Sequence, residues 1–354
     1  MIQSTTLLVR LRWPMVAMLL AAVATVSDAL PLPNQGVSRI AVGSCLDPQE
    51  PLDILNTIDR AQPELMIMSG DNVYAEDESA DPELASLATA YQTLAAAPAF
   101  KQLRQSTPIL ATWDDHDYGL NDAGGEFPHK TQAKTLFQAF WQIPPEDPSR
   151  TRPGIYRSIM LGDPPERVQV ILLDTRSFRS PLKKPWLPLL NGRYIPQDAD
   201  DQSMLGDAQW LWLEREFSKP ADVRILVSSV QVLAEGHNWE AWRMLPKERT
   251  KLLDMVADAT GRVIILSGDR HLAGLYRLPQ SDGGSLWELT SSSLNLPLSK
   301  IATNITRETG RHLVDDPFYD ANFGWIEFDW HQRILNLEIR DENNQPVRQA
   351  KLPL

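Results

Sequence analysis

Four short apolar runs in this sequence end in side chains suited to chemistry. Ile40-Ala-Val-Gly-Ser-Cys45 closes on the only thiol of the chain, and Met66-Ile-Met-Ser-Gly-Asp71-Asn72-Val-Tyr74 closes on a carboxylate, an amide and a phenol. Ile109-Leu-Ala-Thr-Trp-Asp114-Asp115-His116-Asp117 sets three carboxylates around an imidazole, and Ile264-Ile-Leu-Ser-Gly-Asp269-Arg270-His271 supplies a second Asp-x-His. Singly, each has a plain reading: Cys45 as a small core residue, Gly70-Asp71-Asn72 as a turn. Three acids flanking a histidine after an apolar run make both a poor surface turn and a poor core. Together they predict a metal site. Four or more carboxylates in one partly buried crevice repel and raise one another's pKa unless cations neutralise them. Oxygen donors mixed with an imidazole and a thiolate suit two different metals, one a transition metal and one harder. Gly70 and Gly268, just before the acids, allow the backbone to turn closely around such ions.

For the four runs to meet they must be strands whose carboxyl ends share one crevice, the usual place for sites in open α/β sheets. The pattern supports this. Ser38–Ser44, Glu64–Ser69 and Pro108–Thr112 read as strands, as do Val168–Leu173, Val223–Ser228 and Val263–Ser267. Helical spacing is expected over Asp53–Ala61, Leu84–Leu103, Lys130–Trp141, Leu205–Phe217 and Lys247–Ala259. The last third changes character: Leu286–Ser291, Gly324–Phe328 and Ile334–Ile339 read as antiparallel strands without long helices between them. The expectation is an α/β fold with mixed sheets. Ser177–Gln202, with Pro181, Pro185, Pro188, Pro196, Trp186 and Tyr194, is too long and Pro-rich for an ordinary connection and reads as a lid or substrate rim.

The 354 residues carry 34 Lys+Arg against 46 Asp+Glu, a net charge of −12, with 43% hydrophobic residues. This near-average composition excludes disordered, collagenous and coiled-coil classes. One cysteine forms no internal disulfide. An acidic chain without a basic block offers phosphate backbones no Lys/Arg stripe, so nucleic acid is not an expected partner. Arg10 and Arg12 precede the apolar run Met15–Val26 and the small-residue site Ser27-Asp28-Ala29, the layout of a secretory signal peptide cleaved after Ala29. The run is short for a membrane span. The expectation is an exported protein, periplasmic or extracellular, without a stable span after cleavage, and the Arg-Leu-Arg order points to the general secretory route.

Gly43-Ser44-Cys45, Gly70-Asp71-x-x-Tyr74, Trp113-Asp114-Asp115-His116-Asp117 and Gly268-Asp269-x-His271, in this order, resemble the alkaline phosphatase D (PhoD-like) group of the calcineurin-like metallophosphoesterases over about Ser38 to Ile339. The resemblance implies a four-layer αββα sandwich of two mixed sheets, residues 30–354 forming one such domain behind a signal peptide at 1–29. It implies Fe3+ with Ca2+, other divalent metals being alternatives. By position, Asp71 bridges the metals, Cys45 and Tyr74 bind the ferric ion, Asp269 and His271 add ligands, and Asp115 holds the second metal where the superfamily has the Asn of Gly-Asn-His-Glu. Gly-Ser-Cys45 stands where relatives have Asp-x-His, and Gly-Asp269-x-His271 where many have Gly-His-x-His. Both swap imidazole for anionic ligands, which favours ferric iron and calcium over a dizinc site. Ser228-Ser229-Val230-Gln231 stands where a histidine usually follows the fourth strand, leaving Gln231 and His237 as its two candidates.

The implied activity is hydrolysis of small phosphate monoesters or diesters by metal-activated water. His116, held by Asp117 or a neighbouring acid, would bind the phosphoryl group or protonate the leaving oxygen. Asn72 and Arg176 are the substrate-binding candidates, Arg176 being equally readable as a structural partner of Asp174. Two alternatives stand beside this: a phosphodiesterase acting on phospholipid head groups, suggested by the apolar rim Leu182–Leu190, and a non-enzymatic calcium-binding surface module using exposed Trp. Trp239 and Trp242 are expected as core aromatics. Asn304-Ile-Thr306 fits a glycosylation sequon.

Overall fold

The computed structural model describes residues 29–75, 80–189, 191–281, 283–301 and 308–354. The expected signal segment and the Asn304-Ile-Thr306 sequon lie outside these residues. In chain order the strands are β1 (Arg39–Gly43), β2 (Leu65–Ser69), β3 (Ile109–Thr112), β4 (Arg157–Leu161), β5 (Val168–Leu172), β6 (Val223–Val227), β7 (Arg262–Ser267), β8 (Ala273–Pro279), β9 (Ser285–Ser291), β10 (Leu313–Phe318), β11 (Asn322–Asp329), β12 (Ile334–Asp341) and β13 (Pro346–Pro353). The helices are α1 (Asp53–Ala61), α2 (Ala85–Ala96), α3 (Pro98–Ser106), α4 (Asp115–Tyr118), α5 (Lys130–Phe140), α6 (Gly206–Phe217), α7 (Pro246–Ala257) and α8 (Leu298–Ile301). Among the described residues no helix is long and apolar enough to cross a membrane.

Two mixed sheets result. One has the order β13-β12-β11-β1-β2-β3, the other β10-β8-β9-β7-β6-β5-β4. Strands β1, β2 and β3 run parallel in the first sheet, and β5, β6, β7 and β9 run parallel in the second. Period-two side-chain alternation makes the layers. Ile40, Val42, Leu65 and Ile67 point with Val223, Ile225, Ile264 and Leu266 into a core between the sheets. Ala41, Met66 and Met68 point the other way, under Ile54, Leu55 and Ile58 of α1 and the apolar faces of α2, α3 and α5. Leu226, Val263 and Ile265 pack outward against Trp210 and Leu213 of α6 and Leu252 and Val256 of α7. The layer order is αββα, as the resemblance implies. Strands buried on both faces carry apolar residues almost without interruption, which is why these runs read so clearly in the sequence.

The expected helix over Leu84–Leu103 is two. Pro98 removes a backbone donor and pushes Ala97 to an extended ψ of 126°, so α2 stops and α3 restarts with Pro98 in its first turn. Strand β9, expected among antiparallel neighbours, pairs parallel with β7 and antiparallel with β8.

The carboxyl ends of the parallel strands meet at one edge of the sandwich and are tied across the sheets. Thr112 Oγ1 donates to the Leu173 carbonyl at 2.7 Å, and Trp113 Nε1 donates to Asp174 Oδ1 at 2.9 Å. Leu294 N donates to the Ser44 carbonyl at 2.9 Å. Gly70 sits where this junction is tightest: its φ is +113°, and a Cβ there would lie 2.7 Å from Asp114 Cβ and 3.1 Å from Ser229 Cβ. Gly70→Ala is therefore expected to cost about 2–4 kcal/mol, combining left-handed strain with overpacking. Urea unfolding of the variant measures this, and an unchanged midpoint would mean the junction is looser than described.

Candidate metal centre

Asp71 follows β2 and lies at the centre of three overlapping groups. Its carboxylate lies within 4.8 Å of ligand atoms of Cys45 and His271, of Asp115 and His116, and of Asp114, Asp115 and Asp269. Cys45, Asp71, Asp269 and His271 hold φ values of 56°, 48°, 65° and 53°. Non-glycine residues in this left-handed region are uncommon, and four in one site store backbone strain of the kind found where function fixes geometry.

The first side of the cluster combines sulfur, phenol and imidazole. Cys45 is fully buried, with Sγ 3.6 Å from Asp71 Oδ2 and 3.1 Å from Ser292 Oγ. Ser292 Oγ accepts from the backbone N–H groups of Arg270 and His271 at 2.5 and 2.9 Å. With both lone pairs engaged, its own hydrogen is left to point at the Cys45 sulfur, a contact that opposes burial and the Asp71 charge, which together push the thiol well above its usual range. Tyr74 Oη donates to Asp71 Oδ2 at 3.1 Å. His271 Nδ1 lies 2.6 Å from the Leu296 carbonyl, which only accepts, so the proton sits on Nδ1 and the Nε2 lone pair is free to ligate. Burial lowers the His271 pKa to about 4, keeping the ring neutral.

The second side is carboxylate. Asp71, Asp114, Asp115 and Asp269 have oxygens within 4.8 Å of one another. Burial, then the charges of Asp115 and Asp114, pushes the Asp71 pKa well above the usual carboxylate range. Asp269 is raised in the same way, by burial and then by Asp114 and Asp115. Burial also acts on Asp115, but His116, Arg176 and a 2.7 Å hydrogen bond from Asp122 N outweigh it and hold that carboxyl below the usual range. Asp115 Oδ1 and Asp114 Oδ2 are buried without a hydrogen-bond partner. Orphaned carboxylate oxygens beside unrelieved like charges are the environment a cation satisfies, so the donor set fits metal binding.

Several expected site residues have other work. Asp117 does not partner His116: its Oδ1 accepts from Asp114 N at 2.6 Å, and its Oδ2 accepts from the backbone and side-chain amides of Asn72. Asn72 also donates to the Thr112 carbonyl and is fully buried, so its amide staples the loop after β2 to the loop after β3. Arg176 is buried with Nε and Nη2 on Asp114 at 2.6 Å and Nη1 on Glu240 at 2.7 Å. Its guanidinium therefore does not pair with Asp174, whose Oδ1 accepts instead from the Arg176 and Ser177 backbone. His116 does face the cavity, its ring 4.3 Å from that of Tyr74 and its N–H on Asp71 Oδ1 at 3.3 Å. Gln231 and His237 bond each other at 2.8 Å; the Gln231 amide also reaches Tyr276 and Thr290, and His237 Nδ1 accepts from Trp239 N. His237 belongs to none of the candidate ligand groups found among the described residues. Trp242 is fully buried as expected, whereas Trp239 is 38% exposed on the cavity wall.

A profile of the PhoD-like phosphatase family matches residues 40–329. The chain belongs to that family. Its fold is shared with a solved structure of PhoD (15% identity, TM-score 0.64, covering 92% of this chain and 70% of the other). It is also shared with a dimetal phosphatase from Danio rerio (10% identity, TM-score 0.51, 90% and 99%). No match emerged among curated protein sequences. This PhoD-like phosphatase is a metal-dependent phosphoric ester hydrolase.

The cavity of the phosphatase, about 340 Å³, opens over Asp71, Asp115, His116, Asp269 and His271. The cations on its wall are Arg193, half-exposed and paired with Asp122, and Arg270, partly buried and paired with Glu308 at 3.1 Å, and Asp122 and Glu240 add acid. Sequence reading assigned no role to these or to Ser292: Arg270 stood only as the spacer of Asp-x-His, Ser292 lies in a serine tract after a strand, and Asp122, Arg193 and Glu240 end no apolar run. Asp122, at φ 58°, links them: its backbone holds Asp115 while its carboxylate accepts from Arg193 and Tyr194 at 2.8 Å.

Two outcomes are expected. Arg176→Gln leaves Asp114 and Glu240 buried without their cation, and breaking such a pair costs about 3–5 kcal/mol; a variant of wild-type stability with only a raised KM would restore the substrate role. Metal-depleted phosphatase should lose stability from about pH 4 to about 8: folded Asp71, Asp269 and Asp117, the last raised to about 8 by burial, retain protons that the unfolded chain releases. Asp115 acts oppositely at lower pH, and His271 and His237, whose pKa values burial lowers from 6.5, act oppositely below about pH 6.5, so the loss is steepest between about 6.5 and 8. A urea midpoint of the depleted protein that rises across this window would contradict the crowding.

Proposed function

We propose that this PhoD-like phosphatase is an exported hydrolase of phosphate monoesters and diesters, with Fe3+ and Ca2+ as its ions. The observation carrying the proposal is the sharing of Asp71 between a Cys45–Tyr74–His271 side and an Asp115–Asp269 side. The softer side suits ferric iron and the all-oxygen side calcium. When bound, the ions supply Lewis-acid charge for the phosphoryl oxygens and acidify water.

The chain's own residues supply the rest. His116, fixed by its backbone bond to Asp71 and by the Tyr74 ring, is the group on the cavity wall placed to pass a proton to the leaving oxygen. Arg193 and Arg270 replace Arg176 and Asn72 as the candidates for holding phosphate oxygens. Asp117 and Arg176 act indirectly, by fixing the backbone around Asp114 and neutralising its charge. Family membership sets aside the non-enzymatic calcium module.

Nitrophenyl phosphate mono- and diester hydrolysis tests the reading. Chelator treatment should abolish turnover and re-addition of iron with calcium restore it. Asp71→Asn and His116→Ala should each lower kcat by at least about a hundredfold with the fold intact; full activity in either variant would remove that residue from the site. Export rests on the Arg10–Ala29 pattern alone, and mature protein recovered outside the cytoplasm should begin at Leu30. A cytoplasmic protein retaining Met1 would refute it.

A further inference from the structure

The segment Pro181–Leu189 takes no part in the site, and its base is fixed while its tip is open. Leu182 packs against the core beneath α6 and α7. The Lys183 carbonyl accepts from Ile195 N at 3.0 Å, and the Pro181 carbonyl accepts from Gln197 Nε2 at 2.8 Å. Beyond this footing Trp186 is 94% exposed and Leu187 62% exposed. Pro181, Pro185 and Pro188 restrict the backbone, so the tip is presented with little conformational freedom to lose on contact. Lys183 and Lys184 beside it are exposed and form no ion pair among the described residues, although the chain as a whole carries a charge of −12.

The strap leads into the cavity wall. Asn191 and Arg193 line the cavity, and the five residue steps from Trp186 to Asn191 span at most about 18 Å. Asn191, Arg193 and Tyr194 are laced to Asn238, whose neighbour Trp239 lies under the Arg193 guanidinium at 5.4 Å. Of the six large apolar side chains exposed among the described residues, Trp186 and Leu187 are on this strap, and Trp239 and Ile301 line the cavity. Exposed apolar side chains thus recur on the cavity wall and on the strap that leads into it, and such surface marks interaction sites.

We infer that Trp186-Leu187 with Lys183-Lys184 is a docking tip for the surface of an anionic phospholipid bilayer, setting the cavity mouth at head-group level. An indole favours the membrane–water interface, and lysines meet anionic head groups while their stems lie along apolar surface. Charges of the acidic body more than about 8 Å away are screened at physiological salt. A second copy of the chain fits the tip poorly. A two-fold contact would set both lysine pairs against each other, and two side chains offer less than about 400 Å² where a stable dimer buries about 800 Å² per partner.

Sedimentation of the chain from residue 30 onward with vesicles of phosphatidylcholine, with and without phosphatidylglycerol, tests the inference. The protein should bind the anionic vesicles, and less so as salt rises. Trp186→Ala/Leu187→Ala should weaken binding at least about tenfold. Lys183→Glu/Lys184→Glu should remove the preference for phosphatidylglycerol. Hydrolysis of a soluble nitrophenyl ester should be unchanged in both double variants, which also shows that they fold. The inference is overturned by failure of the wild type to bind anionic vesicles, by equal binding to neutral ones, by variants that bind like wild type, or by a dimer that Trp186→Ala dissolves. Docking goes beyond the proposed hydrolysis and is read without it, so loss of ester turnover alone would count only against the catalytic proposal.

Discussion

Mutual repulsion among buried carboxylates is the constraint around which this molecule is arranged. Asp71, Asp114 and Asp115, all buried, and the partly buried Asp269 bring oxygens within 4.8 Å of one another. In such surroundings like charges do not all stay ionised without compensation. The protein compensates part of the charge itself. Arg176 takes Asp114, while backbone N–H groups of Asp122 and His116 take oxygens of Asp115 and Asp71. The remaining oxygens are left to cations, and the family's metal dependence gives that remainder its purpose.

Holding the cluster together requires both sheets. Asp71 and Asp115 come from the ends of β2 and β3, Cys45 from β1, and Asp269 and His271 from the end of β7 in the other sheet. The Trp113–Asp174 and Thr112–Leu173 bonds clamp one sheet on the other. Ser292, after β9, joins the two halves of the candidate ligand set by accepting from the Arg270–His271 backbone while touching Cys45. Polar residues that look catalytic in a linear reading, Asn72, Asp117 and Arg176, belong to this scaffold. All three are buried, and their hydrogen bonds hold the loops that carry the left-handed residues.

The sequence made the centre of the fold legible and its margins obscure. Helix α1 runs over the residues its apolar spacing indicates, and β2, β5, β6 and β7 follow from uninterrupted apolar runs because both of their faces are buried. Strands β4, β8, β10 and β13 went unread, and three of the four, β4, β10 and β13, are sheet edges. Half-exposed Arg157–Leu161, bulged Leu313–Phe318 with Pro317, and polar Pro346–Pro353 lack the alternation that marks a buried strand. At the site, acids that terminate apolar runs stood out. Ser292, Asp122, Glu240, Arg193 and Arg270 did not, because only the folded chain shows which loop each one reaches.

The most direct test of this account is the metal content of the purified protein, by elemental analysis of the wild type beside Asp71→Asn. Iron and calcium bound in stoichiometric amounts, both reduced by loss of the one carboxylate shared between the two sides, is the predicted result. A wild-type protein that is fully active and metal-free, or an Asp71→Asn variant that keeps both ions, would contradict it.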